Sequence, residues 1–385
     1  MANPKPRIAL SLAGGNALGA YGAGAYEALH ERGYLPDAVS GASIGAINAG
    51  IIAGNRPADR IGKLREFWSQ ASLGSAFGGA PASGRFREYY NIMHAMQSLL
   101  MGRPGLFTPR LPGLLSILPG MPPDLGMYDS KPLVSTLQRL IDFDLLNRAE
   151  VALVIGTVDM ESGEPVFFAT RKEPVDPRHF LATTAFTPGF PPVEIDGRCL
   201  ADPGLISNLP IDALLDPLPT DDLLCFAVDL FDGRGERPRS IDTGLERAQD
   251  ILFSAQSRGA IDARSREQRL RRIIAEVAER MPAEEQASLA GLVAEGRRNE
   301  LALVLIAYRS PTREISAKML EYSRVSVEER WAAGREDMNA ALGKLEAGDA
   351  AARYPGYTFY DGRRGAEGVG MKLAPREDGK EKVTV

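Results

Sequence analysis

The stretch Gly41-Ala42-Ser43-Ile44-Gly45 follows a short apolar run, Ala38-Val39, and precedes a run of small and apolar residues at 46–54 with a helical pattern. In this context a G-x-S-x-G sequence is typical of a nucleophile elbow, a sharp strand-to-helix turn that exposes a serine hydroxyl. The two glycines, Gly41 and Gly45, allow the backbone to turn tightly. The helix that begins after Ser43 offers free N–H groups and a positive dipole end to an oxyanion. A structural alternative is an ordinary turn in which Ser43 caps the helix.

Length and composition limit the class of protein. The chain has 385 residues, of which 44% are hydrophobic, so it can bury one large core or two smaller ones. A formal net charge of −5 predicts no nucleic-acid binding. The two cysteines, Cys199 and Cys225, suit a reducing compartment rather than a disulfide scaffold. Residues 1–6 are polar, without the apolar core of a signal peptide, and no apolar run reaches the length of a membrane span. We therefore expect a cytoplasmic protein, with peripheral membrane contact as an option.

Histidine is scarce in this chain, which contains only His30, His94 and His179. A Ser–His–acid triad on an α/β-hydrolase sheet places its histidine late in the chain, and no histidine follows His179. The sequence also lacks the H-E-x-x-H and C-x-x-C patterns of zinc sites, so we expect no metal and no other cofactor. If Ser43 is a nucleophile, its base is therefore expected to be a carboxylate.

A second glycine-rich turn, Ala13-Gly14-Gly15-Asn16-Ala17-Leu18-Gly19, connects a predicted strand at 7–12 to a predicted helix that ends near residue 32. Successive backbone N–H groups in such a loop can bind an anion. One alternative is a dinucleotide-binding loop. That alternative requires an acid at the end of the second strand, where this chain has Ser40. The sequence therefore disfavours a nucleotide.

The rest of the chain divides into segments of different composition. Residues 7–235 read as one α/β domain, in which a hairpin at 193–201 leads to Asp202-Pro203-Gly204. Residues 72–128 are rich in glycine, proline and methionine, and predict an irregular cap-like insert that either contacts lipid or packs over the core. Residues 241–348 predict a mainly helical region with one strand near 301–308. The glycine- and charge-rich end, 362–385, is typical of a disordered tail.

Three motifs occur in a fixed order: the loop at 14–19, the elbow at 41–45 and Asp202-Pro203-Gly204. Together they resemble the patatin-like phospholipase family, whose members have a G-G-G-x-x-G loop, a G-x-S-x-G elbow and an Asp-Gly-Gly/Ala motif. The resemblance covers about residues 7–230, and the remainder looks like the helical C-terminal extension of a bacterial subgroup. It implies a three-layer α/β/α sandwich of patatin type with a mainly helical C-terminal extension.

The resemblance also implies a function. By position, Ser43 would be the nucleophile and Asp202 the base of a Ser–Asp dyad in a lipid acyl hydrolase. The N–H groups of Gly14, Gly15 and Asn16 would form the oxyanion hole. The motif glycines are Gly19, Gly41, Gly45 and Gly204. The implied substrate is a lipid or phospholipid, cleaved by phospholipase A-type hydrolysis at a carboxylic ester. The alternative is a catalytically weak family member that acts as a lipid-binding or interaction module. The oligomeric state does not follow from the sequence.

This chain departs from the family pattern at three positions. Asn16 replaces the third glycine of the loop, and asparagine is the side chain that best tolerates a left-handed backbone. Leu18 stands where many members have a basic residue. Pro203 follows the aspartate, where it removes an N–H and restricts the conformation of Asp202.

Overall fold

The computed structural model of the chain describes residues 5–72, 84–215, 222–296, 299–311 and 314–364. Its strands are β1 Arg7–Leu12, β2 Ala38–Gly41, β3 Thr108–Pro109, β4 Tyr128–Asp129, β5 Ala152–Asp159, β6 Pro165–Ala169, β7 Val193–Ile195, β8 Arg198–Ala201, β9 Leu223–Asp229, β10 Leu301–Ala307, β11 Ala352–Tyr354 and β12 Tyr357–Asp361. Its α-helices are α1 Gly19–Glu31, α2 Ile44–Ala53, α3 Pro57–Ala71, α4 Arg85–Met101, α5 Lys131–Leu140, α6 Phe143–Asn147, α7 Pro177–Thr183, α8 Ile211–Leu215, α9 Ile241–Arg280, α10 Ala283–Ser288, α11 Ala290–Val293 and α12 Arg324–Ala347.

A single large sheet has the strand order β11-β12-β10-β9-β1-β2-β5-β8-β7, and β6 pairs with β5. The neighbours from β12 to β5 in this order are all parallel. Because parallel strands end at the same edge of a sheet, the loop after β1 and the elbow after β2 lie side by side. Ligands of open parallel sheets bind at this edge, which is where the first two motifs lie.

Helices cover both faces of the sheet. The hydroxyl of Ser40 in β2 hydrogen-bonds with the Ser11 hydroxyl in β1 and donates to the carbonyl of Pro210, just before α8. Leu12, the next residue of β1, lies on the opposite face, against Gly22 of α1. Thus α1 and α8 lie on opposite faces of the sheet, and the predicted three-layer α/β/α arrangement is confirmed.

The region after residue 241 is mainly helical, as predicted, and it also extends the sheet. Strand β10 pairs with β9 along its whole length, and β12 pairs with β10. Helix α12 lies directly on α1, where a Cβ added to Gly24 would be only 1.9 Å from the carbonyl oxygen of Trp331. The α/β architecture therefore continues past β9 into the C-terminal region.

The cap-like insert differs from the expectation of an irregular segment. Its residues 73–83 lie outside the described residues, but α4 is a regular helix, since neither glycine nor proline occurs within it. One side of α4 packs on the molecule, and the buried guanidinium of Arg87 pairs with Glu329 of α12 at 3.0 Å. The other side exposes large apolar side chains, including those of Phe86 and Tyr89. The packing alternative is thus realised on one side of α4, whereas lipid contact by the exposed side stays a prediction.

The predicted disordered tail, 362–385, lies mostly outside the described residues, which end at residue 364. Within the described part, the Arg363 side chain pairs with Asp361 and the Arg364 side chain pairs with Asp337. Across the described ranges, no helix combines the length and the apolar character that spanning a membrane demands.

Candidate active site

Ser43 occupies the sharp turn between β2 and α2. Its backbone has φ 52° and ψ −126°, a strained conformation for a residue with a side chain. The flanking glycines make the turn possible. A Cβ at Gly45 would lie 2.2 Å from the carbonyl oxygen of Leu12, and one at Gly41 would lie 2.4 Å from the amide nitrogen of Ala46. Side chains at either position would collide with backbone, as the elbow interpretation predicts.

A buried threonine holds the elbow in place. The N–H of Ser43 donates to Oγ1 of Thr183 at 2.9 Å, and the Thr183 hydroxyl donates in turn to the carbonyl of Gly156 in β5. Thr183 is the last residue of α7 and is fully buried. Sequence analysis did not single out this residue, because nothing in the local pattern marks it. Its role follows only from the approach of α7 to β2.

Asp202 follows the hairpin of β7 and β8 and is buried beside Ser43. Both residues line one cavity, and the carboxylate of Asp202 accepts the N–H of Gly204 at 2.8 Å. Burial raises the pKa of Asp202 to about 6, and the nearby Ser43 hydroxyl and the Gly204 N–H oppose the rise because they favour the ionised form. Pro203 begins a short 3-10 turn, Pro203–Leu205, whose geometry brings the Gly204 N–H back to the carboxylate.

The loop after β1 presents backbone N–H groups beside Ser43. The N–H of Gly14 already donates to the carbonyl of Asn208 at 3.1 Å, and the Asn208 side chain donates back to the Gly14 carbonyl. Gly14 is therefore not a free donor here, in contrast to the expectation for the oxyanion hole. The N–H groups of Gly15, Asn16 and Ile44 have no hydrogen-bond partner within the described part of the chain. All three residues line the same cavity as Ser43.

The asparagine of this loop has the conformation that the sequence suggested. Asn16 has φ 54°, in the left-handed region that an asparagine side chain tolerates. Leu18 is completely buried, so the position where other members have a basic residue faces the core here. The loop therefore keeps its shape without its third glycine.

Ser43 and Asp202 open into a cavity of about 320 Å³. Its walls are largely apolar, and the aromatic and aliphatic residues include Leu99, Phe107, Phe190, Phe231, Phe253 and Met319. These residues come from the insert, the loop before β7, the loop after β9 and the C-terminal region. The cavity is thus an apolar chamber with a polar floor, which suits an acyl chain whose ester lies at Ser43.

The histidines and a rival acid lie elsewhere among the described residues. No histidine lines the cavity. His30 contacts the carbonyl of Pro57, His94 is buried in α4, and His179 completes the capping box of α7. Asp196 lies in the exposed turn between β7 and β8, away from Ser43. The arrangement leaves Asp202 as the carboxylate beside the serine.

Comparison with known proteins gives distant relatives. Uncharacterized NTE family proteins of Mycobacterium bovis and Mycobacterium tuberculosis are each 25% identical over 206 residues, which is 54% of this chain and 45% of theirs. The match therefore spans less than half the length of those relatives. Among solved structures, VipD from Legionella pneumophila has a TM-score of 0.36 at 15% identity, with 85% of this chain and 66% of that chain covered. The type III effector protein ExoU has a TM-score of 0.33 at 13% identity, with 90% and 54% covered.

Family models give the clearest result. The model described as Patatin-like phospholipase matches residues 10–215, which is more than half of the chain and includes Ser43 and Asp202. A second model, described as Patatin phospholipase, matches residues 251–351 in the C-terminal region. With the ordered motifs and the three-layer fold, these matches establish that the chain belongs to the patatin-like phospholipase family of lipid hydrolases.

Proposed function

We propose that this chain hydrolyses carboxylic ester bonds of lipids by phospholipase A-type chemistry, with Ser43 as nucleophile and Asp202 as base. The observation that supports it most directly is that these two side chains lie together on the floor of the apolar cavity, where the Ser43 hydroxyl lowers the pKa of Asp202 against the effect of burial. A serine hydroxyl needs a base to accept its proton before it attacks an ester. Asp202 can accept that proton, because its raised pKa brings its basicity nearer to neutral pH.

The reaction divides into two steps on these residues. In the first, Oγ of Ser43 bonds to the acyl carbon while its proton passes to Asp202, and the leaving alcohol then takes this proton as its bond to the acyl group breaks. In the second, water attacks the acyl-serine while Asp202 accepts the water proton. The fatty acid leaves as Ser43 recovers its proton from Asp202. No net proton is gained or lost by the enzyme.

The oxyanion of each tetrahedral intermediate requires preorganised donors. In our proposal these are the N–H groups of Gly15 and Asn16, with the N–H of Ile44 at the start of α2 as a third candidate. Gly14 is left out, since its N–H is engaged with Asn208. Each such donor contributes roughly 3–4 kcal/mol in enzymes where it has been removed.

The substrate is proposed to enter from a lipid surface that contacts α4. Leu99 of this helix lines the cavity, and Met96 and Ile92, three and seven residues earlier on the same side, are exposed. A contiguous apolar face beside an apolar cavity is typical of a surface that meets lipid or a protein partner. We favour lipid because the same helix exposes apolar side chains at the surface and places Leu99 in the wall of the apolar cavity, which suits an acyl chain.

The decisive experiment compares the wild type with Ser43→Ala and Asp202→Asn on a diacyl phospholipid in mixed micelles. We expect Ser43→Ala to abolish hydrolysis and Asp202→Asn to lower turnover by about two or more orders of magnitude, because asparagine keeps the shape of aspartate but cannot act as the base. Asp196→Asn is the matched control and should retain turnover, since Asp196 is exposed and does not line the cavity that contains Ser43. Covalent labelling of Ser43 by a fluorophosphonate reports the activated serine independently of the lipid.

Two outcomes would contradict the proposal. Ester hydrolysis close to the wild-type rate in Ser43→Ala would remove Ser43 as the nucleophile. Vesicle binding without phospholipid hydrolysis or fluorophosphonate labelling, in a folded wild-type protein, would instead favour the lipid-binding module.

A further inference from the structure

The residue that most needs support in the loop after β1 is Asn16. It combines a left-handed backbone with an N–H that has no partner in the described ranges, and it lines the cavity beside Ser43. In the proposed function this N–H would bind the oxyanion, so its direction matters to the rate. Glycine takes a left-handed conformation freely, whereas asparagine does so only with a cost. Something must therefore hold the asparagine in place.

A tyrosine from the C-terminal region contacts this asparagine directly. The hydroxyl of Tyr322 donates to Oδ1 of Asn16, although 306 residues separate them in the chain. Tyr322 is completely buried and lines the cavity. Burial raises the pKa of Tyr322 well above its usual value, so the hydroxyl keeps its proton and remains the donor.

Tyr322 is itself held in a fixed position. It lies between a 3-10 turn, Lys318–Leu320, and the start of α12. The Arg103 guanidinium lies over its ring at 5.1 Å from the centroid. From α12, the buried side chain of Arg330 donates to the carbonyl of Glu321 at 2.7 Å and reaches the carbonyl of Ala17 at 3.4 Å. One arginine thus links the segment of Tyr322 to the loop that contains Asn16.

We propose that Tyr322 is a positioning residue of the oxyanion hole, which fixes the side chain of Asn16 and thereby aims the Asn16 N–H at the acyl oxygen. The inference rests on the proposed function and assigns part of the catalytic geometry to the C-terminal region. It also explains how this chain tolerates asparagine at the third position of the loop. A glycine would take the left-handed backbone freely at this position. Asparagine does so at a cost, and the hydrogen bond from the Tyr322 hydroxyl holds it there.

The test is a double-mutant cycle on a soluble carboxylic ester, with wild type, Tyr322→Phe, Asn16→Gly and the combined variant. Tyr322→Phe should lower kcat by about tenfold with little change in KM, because the hydrogen bond orients a donor and does not bind the substrate. In the Asn16→Gly background the same change should alter kcat by less than about twofold, since there is no amide side chain left to hold. The rate of fluorophosphonate labelling, followed in all four proteins, extends the cycle to variants with weak turnover.

Tyr357→Phe is the matched control. Its hydroxyl is buried in the same region but has no hydrogen-bond partner among the described residues, and Tyr357 does not line the cavity. We expect this variant to keep the wild-type kcat. An unchanged kcat in Tyr322→Phe would overturn the inference, as would an equal loss in both backgrounds, which would show a purely structural role. Neither result would affect the nucleophile assignment, which Ser43→Ala and fluorophosphonate labelling of the wild type test.

Discussion

At the scale of single residues, the chemistry of the site depends on the environment of one carboxylate. Asp202 is buried beside Ser43, and its carboxylate accepts the N–H of Gly204. Desolvation raises its pKa to about 6, and the Ser43 hydroxyl and the Gly204 N–H limit that rise. A carboxylate with this pKa is ionised at neutral pH and is a stronger base than an exposed aspartate. The pH at which hydrolysis begins should therefore report on Asp202.

We expect kcat/KM for a soluble ester to fall as the pH drops below about 6, approaching a tenfold loss per pH unit. The sign follows from the role proposed for Asp202 as the base, because a protonated carboxyl cannot accept the proton of Ser43. Asp229→Asn is the control: burial raises the pKa of Asp229 to about 7, but this residue does not line the cavity. A wild-type profile that stays flat between about pH 7 and pH 5, or an acid limb that disappears in Asp229→Asn, would contradict the assignment to Asp202.

Local sequence predicts part of this site and leaves another part hidden. The elbow around Ser43 is recognisable because its glycines and its strand-to-helix context are contiguous in the chain. The partners that shape it are not contiguous. Thr183 holds the Ser43 N–H from 140 residues away, and Asn208 engages Gly14 from 194 residues away. Such contacts depend on which elements the sheet brings together, so no short motif reveals them.

At the scale of elements, the sequence predicted β1, the end of α1, β10 and both strands of the hairpin that leads to Asp202 within a few residues. It did not predict α4 as a regular helix. The reason is compositional: glycine and proline are frequent on both sides of α4 but absent within it. The prediction of an irregular insert was thus based mainly on the residues that flank α4. The residues of α4 itself have ordinary helical propensity.

The apolar side of α4 should decide how the protein engages lipid. Met93 and Leu100 are both exposed and lie seven residues apart, on one side of the helix. Replacing both with serine should weaken binding to zwitterionic vesicles by about tenfold or more, because each buried apolar side chain of this size contributes roughly 1.5–3 kcal/mol. Hydrolysis of a soluble ester should change by less than about twofold. Sedimentation with vesicles and parallel assays of the two substrates provide the measurement.

The control for this prediction lies on α9. Leu270 and Val277 are also exposed apolar residues seven positions apart, but they lie far along the helix from Gln249 and Phe253, the α9 residues that line the cavity. Serine at these two positions should leave vesicle binding unchanged. Two outcomes would show that α4 has no particular role at the lipid surface. Either both double variants lose vesicle binding equally, or the α4 double variant loses hydrolysis of the phospholipid and of the soluble ester equally.

At the scale of the whole molecule, the C-terminal region is continuous with the α/β part that contains Ser43 and Asp202. Strand β10 adds to the sheet beside β9, and α12 packs on α1, the helix that follows the Asn16 loop. The approach of these two helices is unusually close. A Cβ at Gly334 of α12 would lie 1.9 Å from the carbonyl oxygen of Tyr21, matching the contact at Gly24 of α1. The sequence predicted helices here but not that α12 packs on α1. That contact depends on Gly24 and Gly334, whose small size becomes important only when the two helices lie side by side.

Two glycine-to-alanine substitutions test this packing because they should have opposite signs. Gly24→Ala places a methyl group against the backbone of α12, so the helices must separate, and we expect the free energy of unfolding to fall by about 1–3 kcal/mol or more. Gly62 of α3 is also within a helix, but its added Cβ would meet nothing within 4 Å. Gly62→Ala should therefore raise the free energy of unfolding by up to about 1 kcal/mol, since alanine favours the helix. Urea unfolding measures both values.

Because α1 follows the Asn16 loop, Gly24→Ala should also lower kcat while Gly62→Ala leaves it unchanged. If both variants were stabilised alike, α12 would not pack on α1 as the structure shows, and the route by which the C-terminal region supports the active site would be lost.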